Sequence, residues 1–334
     1  MTYSIAIKLG SCNTSIFKQG EGIVLFEPSL VAYSGSGKDR DIKAVGVRAK
    51  RTQGRTDDQT FVMSPIFEGK ITDTELACVM LKSFLNKVIK RGIIKPKIKA
   101  VVCVPLGLTL SDRKAFEKVC YSVGIQDVVL VPSIICGAIG YNFPVSEPNG
   151  VCLVNIGGGS TDVAVVSLNS IIEGVNIGVG GQVLDKAIEK HIASKFGVQV
   201  GLGIAEVVKE EVGSLYRNDS SNAEVTGLDI ETKMARSVIV ESQDLYEVLE
   251  GYYSKIAEAI KSILNECPPN IVQDIDKKGI YLMGGASLIT GAEQYFRKEL
   301  GLNVKVEDYT TAIDVLGAGK LLSDAKLLKE LSEL

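Results

Sequence analysis

The stretch that decides the fold is VCLVNIGGGSTDVAVV, residues 151–166. Two apolar, β-branched runs flank three consecutive glycines, Gly157, Gly158 and Gly159. This pattern predicts a β-hairpin whose turn lies unusually close to something else. Glycine has no Cβ and tolerates positive φ, so successive N–H groups in the turn can point at one anion, and phosphate is the leading candidate. Taken alone, the stretch is equally compatible with a tight hairpin that binds nothing.

The same pattern occurs again near the N-terminus, in IAIKLGSCNTSIF at residues 5–17. With an offset of 147 residues (155 − 8), Lys8 falls on Asn155 and Gly10 on Gly157. Two such hairpins half a chain apart predict a duplicated, two-lobed protein that grips one polyphosphate from both sides. The predicted phosphate-binding residues of the two turns are Gly10, Ser11, Cys12, Asn13, Gly157, Gly158, Gly159 and Ser160. We expect no structural requirement for three glycines at residues 157–159, which favours a bound nucleotide.

A third glycine-rich turn, YLMGGAS at residues 281–287, lies between a predicted strand and a predicted helix. Glycines let a flat or charged group lie against the backbone, and a helix N-terminus favours negative charge. The three turns together imply a nucleotide, with its phosphates between the hairpins and its nucleoside near Gly284 and Gly285. A plain strand-to-helix turn explains this third signal equally well in isolation.

The composition excludes several classes of protein. A chain of 334 residues, 46% hydrophobic and 23% charged, is typical of a globular protein with two domains. A net charge of −3 without a basic block argues against a nucleic-acid partner. The seven cysteines form no CxxC pair and there is one histidine, which argues against zinc and favours free thiols in a reducing cytosol. The sequence suggests neither a signal peptide nor a bilayer-spanning run, so we expect a cytoplasmic location.

Strands that alternate with helices make this an α/β protein. Ser111 is the expected N-cap of the helix at residues 112–123, and Ser133 is expected to open the next helix. The polar run RNDSSN at residues 217–222 is expected to be a surface loop. Other helices are predicted from apolar residues at helical spacing, over residues 74–89, 184–196, 204–216, 242–266, 291–300 and most of the tail from 312 onward.

With these motifs the chain resembles a bacterial actin of the MreB type, within the actin, sugar-kinase and DnaK-chaperone superfamily. The resemblance covers nearly the whole length and rests on GEGIVLFEPS (20–29), VNIGGGSTDVAVVSL (154–168), AEVVKEEVGS (205–214), PPNIVQDIDKKGIYLMGGASL (268–288) and LGAGKLL (316–322). It implies an actin-like fold of two lobes and four subdomains, with a ribonuclease-H-like mixed sheet in each lobe. The implied division gives residues 1–143 and 315–334 to lobe I, 144–314 to lobe II, and small subdomains to about 33–63 and about 180–240.

The resemblance also implies ATP or ADP in the cleft between the lobes. By position, Glu206 and Lys209 should face the ribose and base. It further implies head-to-tail protofilaments of the protein itself, paired antiparallel at the inner face of the membrane, where they guide cell-wall synthesis. The residues implied on the adenosine side are Gly284, Gly285, Ala286 and Ser287.

The chain departs from the family pattern at its acidic positions. Lys8 and Asn155 stand where the two hairpins of the family carry acidic residues around Mg²⁺. Without those carboxylates we expect Mg²⁺ to be weakly held by phosphate oxygens and water, with Asp162 or Asp185 in its outer shell and no direct protein ligand. Lys8 would repel the metal and attract the phosphates, so it is expected to supply part of the missing metal charge. The alternative is that Lys8 turns outward and contacts nothing.

A second departure concerns the residue that orients the attacking water. The family has a pair of glutamates where this chain has Pro132 and Ser133. A serine can bind a water but cannot take its proton near neutral pH, and loss of a general base typically costs roughly 10²–10⁴-fold in rate. Ser133, as a degenerate water-orienting residue, and Thr161 are the remaining catalytic candidates, and ATP hydrolysis is expected to be weak or absent.

The sequence therefore predicts a nucleotide-binding, filament-forming cytoskeletal protein for cell shape or motility. Two alternatives stay open: a small-molecule kinase of the same superfamily, which the missing acids disfavour, and a nucleotide-independent scaffold that copolymerises with related paralogues. Ile93 and Ile94, next to Arg91 and Lys95, would suit an anionic membrane surface. The start of the following strand explains these isoleucines equally well.

Overall fold

The chain is described by a computed structural model that covers residues 2–54, 59–90 and 96–332, without the side chain of residue 38. Ile93 and Ile94, the predicted membrane contact, lie outside the described residues. The strands are β1 Thr2–Leu9, β2 Asn13–Lys18, β3 Gly22–Pro28, β4 Val31–Ser34, β5 Asp41–Val45, β6 Thr60–Met63, β7 Ile66–Phe67, β8 Lys70–Ile71, β9 Lys97–Val104, β10 Asp127–Pro132, β11 Val151–Ile156, β12 Thr161–Ser167, β13 Ser170–Ile177, β14 Val198–Gln199, β15 Asn222–Asp229, β16 Ala235–Glu241, β17 Ile280–Met283 and β18 Val304–Val306.

The helices include one of 25 residues, α7, which begins and ends where the apolar spacing predicts. Among the residues described, no helix is both long and apolar enough to cross a membrane. The helices are α1 Val47–Thr52, α2 Thr74–Val88, α3 Leu110–Ser122, α4 Ser133–Gly140, α5 Gly181–Phe196, α6 Leu202–Val212, α7 Ser242–Glu266, α8 Pro269–Lys278, α9 Ala292–Leu300, α10 Ile313–Leu321 and α11 Ala325–Ser332.

Two large sheets repeat one strand order. In the described part of the chain each has five strands, in the orders β10-β9-β1-β2-β3 and β18-β17-β11-β12-β13. In both, the first three strands in sequence form an antiparallel meander, and the remaining two are added in parallel beside the first strand. The duplication predicted from the two hairpins therefore extends to the whole sheet.

The two hairpins correspond to each other residue by residue. Each turn is closed by a backbone hydrogen bond, from the Gly10 N–H to the Asn13 carbonyl (3.1 Å) and from the Gly157 N–H to the Ser160 carbonyl (3.0 Å). The sequence offset of 147 residues also relates the paired positions (162 − 15 = 147). These pairs are Lys8 with Ser15 and Leu9 with Thr14 in the first hairpin, and Asn155 with Asp162 and Ile156 with Thr161 in the second.

Two helices pack side by side and connect the two sheets. Helix α4 contacts β9 and β10 of the first sheet as well as β11 and β12 of the second, and α10 packs on α4, β1 and β9. Their backbones approach closely, because a Cβ at Gly317 would overlap the carbonyl oxygen of Cys136. The N-terminal ends of both helices, at Ser133 and Ile313, thus lie near the ends of the hairpin strands. The division into lobes at residues 143 and 315 stays a prediction.

Local structure differs from the sequence prediction in several places, among them two helix ends and one hairpin. Thr109, not Ser111, caps α3, because its hydroxyl and the Asp112 side chain form a reciprocal capping box. Helix α6 ends at Val212, earlier than predicted, with Gly213 as its C-cap. The hairpin of β15 and β16 was not predicted at all, and β15 begins inside the expected loop, at Asn222.

Candidate functional site

A cleft of about 500 Å³ lies between the two hairpin turns, a size suited to a small ligand. Both glycine turns line the part called the phosphate end, and residues of α6 and of the turn after β17 also line the cleft. It is lined by Lys8, Leu9, Gly10, Ser11, Cys12, Asn13, Ser15, Phe26, Gly69, Cys103, Pro105, Ser133, Asn155, Gly157, Gly158, Gly159, Ser160, Asp162, Gly181, Glu206, Lys209, Glu210, Gly285, Ala286, Leu288, Ile289 and Thr311.

The two hairpin turns touch each other. A Cβ at Gly158 would overlap Sγ of Cys12, and one at Gly159 would overlap Oγ of Ser11. The Gln182 side-chain amide also donates to the Ser11 carbonyl across the cleft, at 3.3 Å. The expectation that nothing structural requires glycine at residues 157–159 is therefore wrong, since two of the three are needed for this contact.

Lys8 forms a buried ion pair and does not turn outward. Its Nζ lies 2.5 Å from Oδ2 of Asp314, in the first turn of α10. The Asp314 carboxylate is inaccessible, whereas Lys8 lines the cleft. Burial alone would lower the pKa of Lys8, but the charge and hydrogen bond of Asp314 outweigh it and raise the pKa. Lys8 therefore places a permanent positive charge at the wall of the cleft.

Asp162 is the carboxylate that the second hairpin brings to the cleft. Its Oδ1 accepts hydrogen bonds from the Leu106 N–H (3.1 Å) and from Nδ2 of Asn176 (2.7 Å). Burial raises its pKa to about 6, although these hydrogen bonds and Lys8 act in the opposite direction. Asp162 is thus ionised near neutral pH, with one oxygen already committed to structure.

The other polar groups at this end are neutral. Oδ1 of Asn155 is buried and has no hydrogen-bond partner among the residues described, and Ser133 is buried at the first position of α4. No cluster of three or more potential His, Cys, Asp or Glu ligands occurs within residues 2–54, 59–90 and 96–332. Mg²⁺ held by a protein prefers carboxylate oxygens. The groups here do not fit such a site, because Asp162 already uses one oxygen in hydrogen bonds, Asn155 is neutral and Lys8 is positively charged.

Helix α6 forms another part of the cleft wall. Glu206 and Lys209 both line the cleft, and their assignment to the ribose and base stays a prediction. Nζ of Lys209 donates to Oδ1 of Asp185 at 2.6 Å, and both side chains are buried. Burial raises the pKa of Asp185 to about 6, with the lysine acting against that rise. Oε2 of Glu206 lies 2.8 Å from Nζ of Lys50 on α1, and both residues line a neighbouring cavity.

The third glycine turn has the geometry that its sequence predicts. Gly284 adopts φ of +88°, and a Cβ there would overlap the carbonyl oxygen of Ile156, so no other residue fits. Oγ of Ser287 donates to the Gly284 carbonyl at 2.6 Å. Gly285 and Ala286 face the cleft, whereas Gly284 and Ser287 shape the turn from behind.

Four predicted site residues do not line this cleft: Thr161, Asp185, Gly284 and Ser287. Thr161 is fully buried and its hydroxyl donates to the Val179 carbonyl at 2.6 Å. Asp185 instead lines a neighbouring cavity of about 450 Å³ that shares Glu206 with the cleft. Residues that the sequence analysis missed include Glu210, Leu288 and Ile289, each next to a predicted motif in sequence, and Phe26, Gly69, Pro105, Gly181 and Thr311.

Comparison with solved structures defines the class of protein. MreB5 of Spiroplasma citri bound to AMPPNP superposes with a TM-score of 0.92 over 99% of this chain and 98% of that chain, at 28% identity. A chain of the MamK double helical filament has a TM-score of 0.81, with 97% and 99% of the two chains covered, at 18% identity. The duplicated sheets around a central cleft are thus an actin-like fold, as predicted.

Sequence comparison identifies the family. The MreB/Mbl protein family matches residues 2–330. Cell shape-determining protein MreB of Escherichia coli K12 is 34% identical over 321 residues, 95% of this chain and 92% of that protein. Cell shape-determining protein Mbl of Bacillus subtilis is 32% identical over 323 residues, 96% of each chain. The chain belongs to the MreB/Mbl family, which confirms the predicted resemblance.

Proposed function

We propose that the chain is a nucleotide-binding, filament-forming cytoskeletal protein that binds ATP or ADP and hydrolyses ATP slowly or not at all. The observation that carries the proposal is the pair of glycine turns facing one cleft, beside which the Asp162 carboxylate already has one oxygen hydrogen-bonded to Leu106 and Asn176. The related MreB5 has been solved with AMPPNP and with ADP, which supports a nucleotide as the ligand. Family membership supports a role in cell shape and assembly of the chain with itself.

The backbone N–H groups of the two turns would hold the phosphates, because consecutive glycine amides converge on an anion. The N-terminus of α5, which begins at Gly181 beside the second turn, adds a favourable partial positive charge. Gly285 and Ala286 offer a flat backbone surface to the nucleoside, and Glu206 offers a carboxylate to the ribose hydroxyls. Each of these interactions binds and orients the nucleotide without a protein-held metal.

Hydrolysis would be slow because Pro132 and Ser133 stand where the family has its pair of glutamates, one of which orients the attacking water. Ser133 can orient a water but is not a base near neutral pH. The Thr161 hydroxyl is held by the Val179 carbonyl and would have to leave it before it could act. Any Mg²⁺ would be carried by the nucleotide and its water shell, with Asp162 as an outer-shell acceptor, and so would be weakly held.

Phosphate release from ATP and pelleting of the protein, measured on one preparation with and without Mg²⁺, test this proposal. We expect polymer in the pellet and phosphate release about 10²-fold slower than from a family member with both acids, given what a general base contributes. Brisk Mg²⁺-dependent release would refute the slow-hydrolysis part, and would point to Asp162 or Asp185 as the base. Failure to bind immobilised ATP would favour a nucleotide-independent copolymerising scaffold.

We further propose a cytoplasmic location with peripheral attachment at the inner face of the membrane. Support comes from the sequence alone, in Ile93 and Ile94 and the lysines and arginine near them. Two apolar side chains supply only weak attachment, so useful binding would need many subunits in one polymer. Co-sedimentation with anionic vesicles should therefore require polymer and should fall when both isoleucines are changed to serine. Related paralogues are the proposed copolymerisation partners.

A further inference from the structure

The Lys8–Asp314 pair is a buried charged feature at the cleft that the proposed function leaves unused. Residues 8 and 314 are 306 positions apart in sequence, yet Nζ and Oδ2 lie 2.5 Å apart beneath the phosphate end. Lys8 is part of the cleft wall and Asp314 is not. The ammonium group therefore stands between the buried carboxylate and any ligand in the cleft.

Asp314 is fixed in its position as the counter-ion. Its Oδ1 accepts the Val315 N–H at 2.8 Å, and its backbone carbonyl accepts the Cys103 thiol at 3.6 Å. It lies in the first turn of α10, where the helix dipole favours a negative charge. Since Asp314 supplies one acceptor and an ammonium has three N–H donors, Lys8 retains donors for an anion. No second partner of Lys8 Nζ is found among the residues described.

The surroundings of Lys8 favour a phosphate rather than a metal ion. Asn155, opposite on the second hairpin, is neutral, and Asp162 already accepts two hydrogen bonds through Oδ1. A divalent cation close to Lys8 would be repelled by the ammonium, whereas a triphosphate would be attracted by it. The site beside Lys8 thus disfavours a divalent cation and favours a triphosphate.

We propose that Lys8, with Asp314 as its fixed counter-ion, replaces the divalent cation at the phosphates, so that the cleft binds ATP without Mg²⁺. This inference rests on the proposed function, since it requires that a nucleotide occupy the cleft. The ammonium offsets part of the phosphate charge that a metal ion would otherwise offset. Nucleotide occupancy is then independent of the free Mg²⁺ concentration.

Calorimetric titration of the whole, dilute protein with ATP, in excess MgCl₂ and in excess EDTA, tests the inference. We expect the two Kd values of the unmodified protein to agree within about threefold. The double variant Lys8→Met/Asp314→Asn removes both charges and leaves no orphaned buried carboxylate. In EDTA the Kd of this variant should rise about 10- to 100-fold. The rise in MgCl₂ should be smaller, because Mg²⁺ then supplies the positive charge that Lys8 no longer supplies. Lys8→Arg keeps the cation and should keep the insensitivity to EDTA.

Lys18→Met serves as the matched control. Lys18 lies at the other end of the same hairpin, pairs with Glu21, and is remote from the cleft. Its loss should leave both Kd values unchanged, and thermal unfolding should verify that each variant folds. Binding by the unmodified protein in MgCl₂ only, or EDTA-insensitive binding by the folded double variant, would overturn the inference and leave the proposed function intact. Absence of ATP binding in both buffers would overturn both.

Discussion

The two glycine-turn hairpins share one backbone geometry, but their side chains at corresponding positions differ in charge. Both close with a glycine amide that donates to the residue three positions later, and both pair their strands in the same register. At corresponding sites, however, the first hairpin carries Lys8 opposite Ser15, and the second carries Asn155 opposite Asp162. Backbone geometry is set by glycines and apolar strands, whereas charge is set by these two side-chain positions. A duplicated fold can therefore keep its binding geometry while its catalytic chemistry changes.

The largest expected effect comes from restoring acids to both hairpins and to α4. In a variant with Lys8→Asp, Asp314→Asn, Asn155→Asp and Ser133→Glu, we expect Mg²⁺-dependent phosphate release to rise about 10²-fold, since carboxylates then hold the metal and a general base orients the water. Phosphate release in a coupled assay measures the change.

Its control replaces Ser133→Glu by Ser133→Gln and keeps the other three substitutions. Glutamine has nearly the same shape but cannot accept the proton, so this variant should remain slow. Equal activity of the two variants would mean that the base is another residue, and the difference between the hairpins would then not explain slow turnover.

The second prediction concerns how the unfolding free energy depends on pH at Asp162, which corresponds to Ser15 in the first hairpin. The folded-state pKa of Asp162 is raised to about 6 from 3.8, so its contribution to stability is fully present below about pH 4 and is lost as the pH rises through 6. Relative to Asp162→Asn, the unmodified protein should lose up to about 3 kcal/mol of unfolding free energy across this range. Urea unfolding between about pH 4 and 7 measures the difference, in which the similar contribution of Asp185 cancels.

Ser15→Ala, at the matching site of the first hairpin, is the control for that experiment. It removes no titratable group, so its unfolding free energy should differ from that of the unmodified protein by a constant amount at every pH. A constant difference for Asp162→Asn as well would contradict the assigned pKa.

The smallest predicted effect is a difference in stability between glycine-to-alanine substitutions in the two turns. A Cβ at Gly10 would lie 2.6 Å from the Asn13 carbonyl oxygen, whereas one at Gly157 would lie 3.0 Å from that of Ser160. Gly10→Ala should therefore cost about 2 kcal/mol of unfolding free energy and Gly157→Ala about 1 kcal/mol, as expected for differing degrees of overpacking. Denaturant unfolding measures both, and equal losses would show that the turns are equivalent in shape.

Local patterns predicted much of this fold because they depend on residues close in sequence. The hairpin register follows from strand alternation and glycine position, and α7 follows from its helical spacing over 25 residues. The hairpin of β15 and β16 was missed because most of its positions are exposed, although β15 alternates between exposed and less exposed residues. Its packing depends on the rest of the lobe.

The site was predicted less completely than the fold. The glycine turns, predicted from local motifs, and Glu206 and Lys209 of α6, implied by the family resemblance, do line the cleft, but their roles stay predictions. The partner of Lys8 was not predicted, because no local pattern connects residues 8 and 314. The role of Gly158 and Gly159 in packing against Cys12 and Ser11 was also missed, since it requires both hairpins to be present in space. The roles assigned to Ser133 and Thr161 stay predictions.

The position of α10 has a consequence for how the protein is made. The strands of the first sheet are complete at Pro132, but α10, which covers part of that sheet through Val315 and Ala318, begins only at Ile313. At a synthesis rate of about 5–20 residues per second, the 180 intervening residues (312 − 132) take roughly 10 to 40 s to appear. During that time the nascent chain exposes an apolar sheet face and a lysine without its counter-ion. Helix α10 thus completes the packing of the first sheet long after the strands of that sheet have been synthesised.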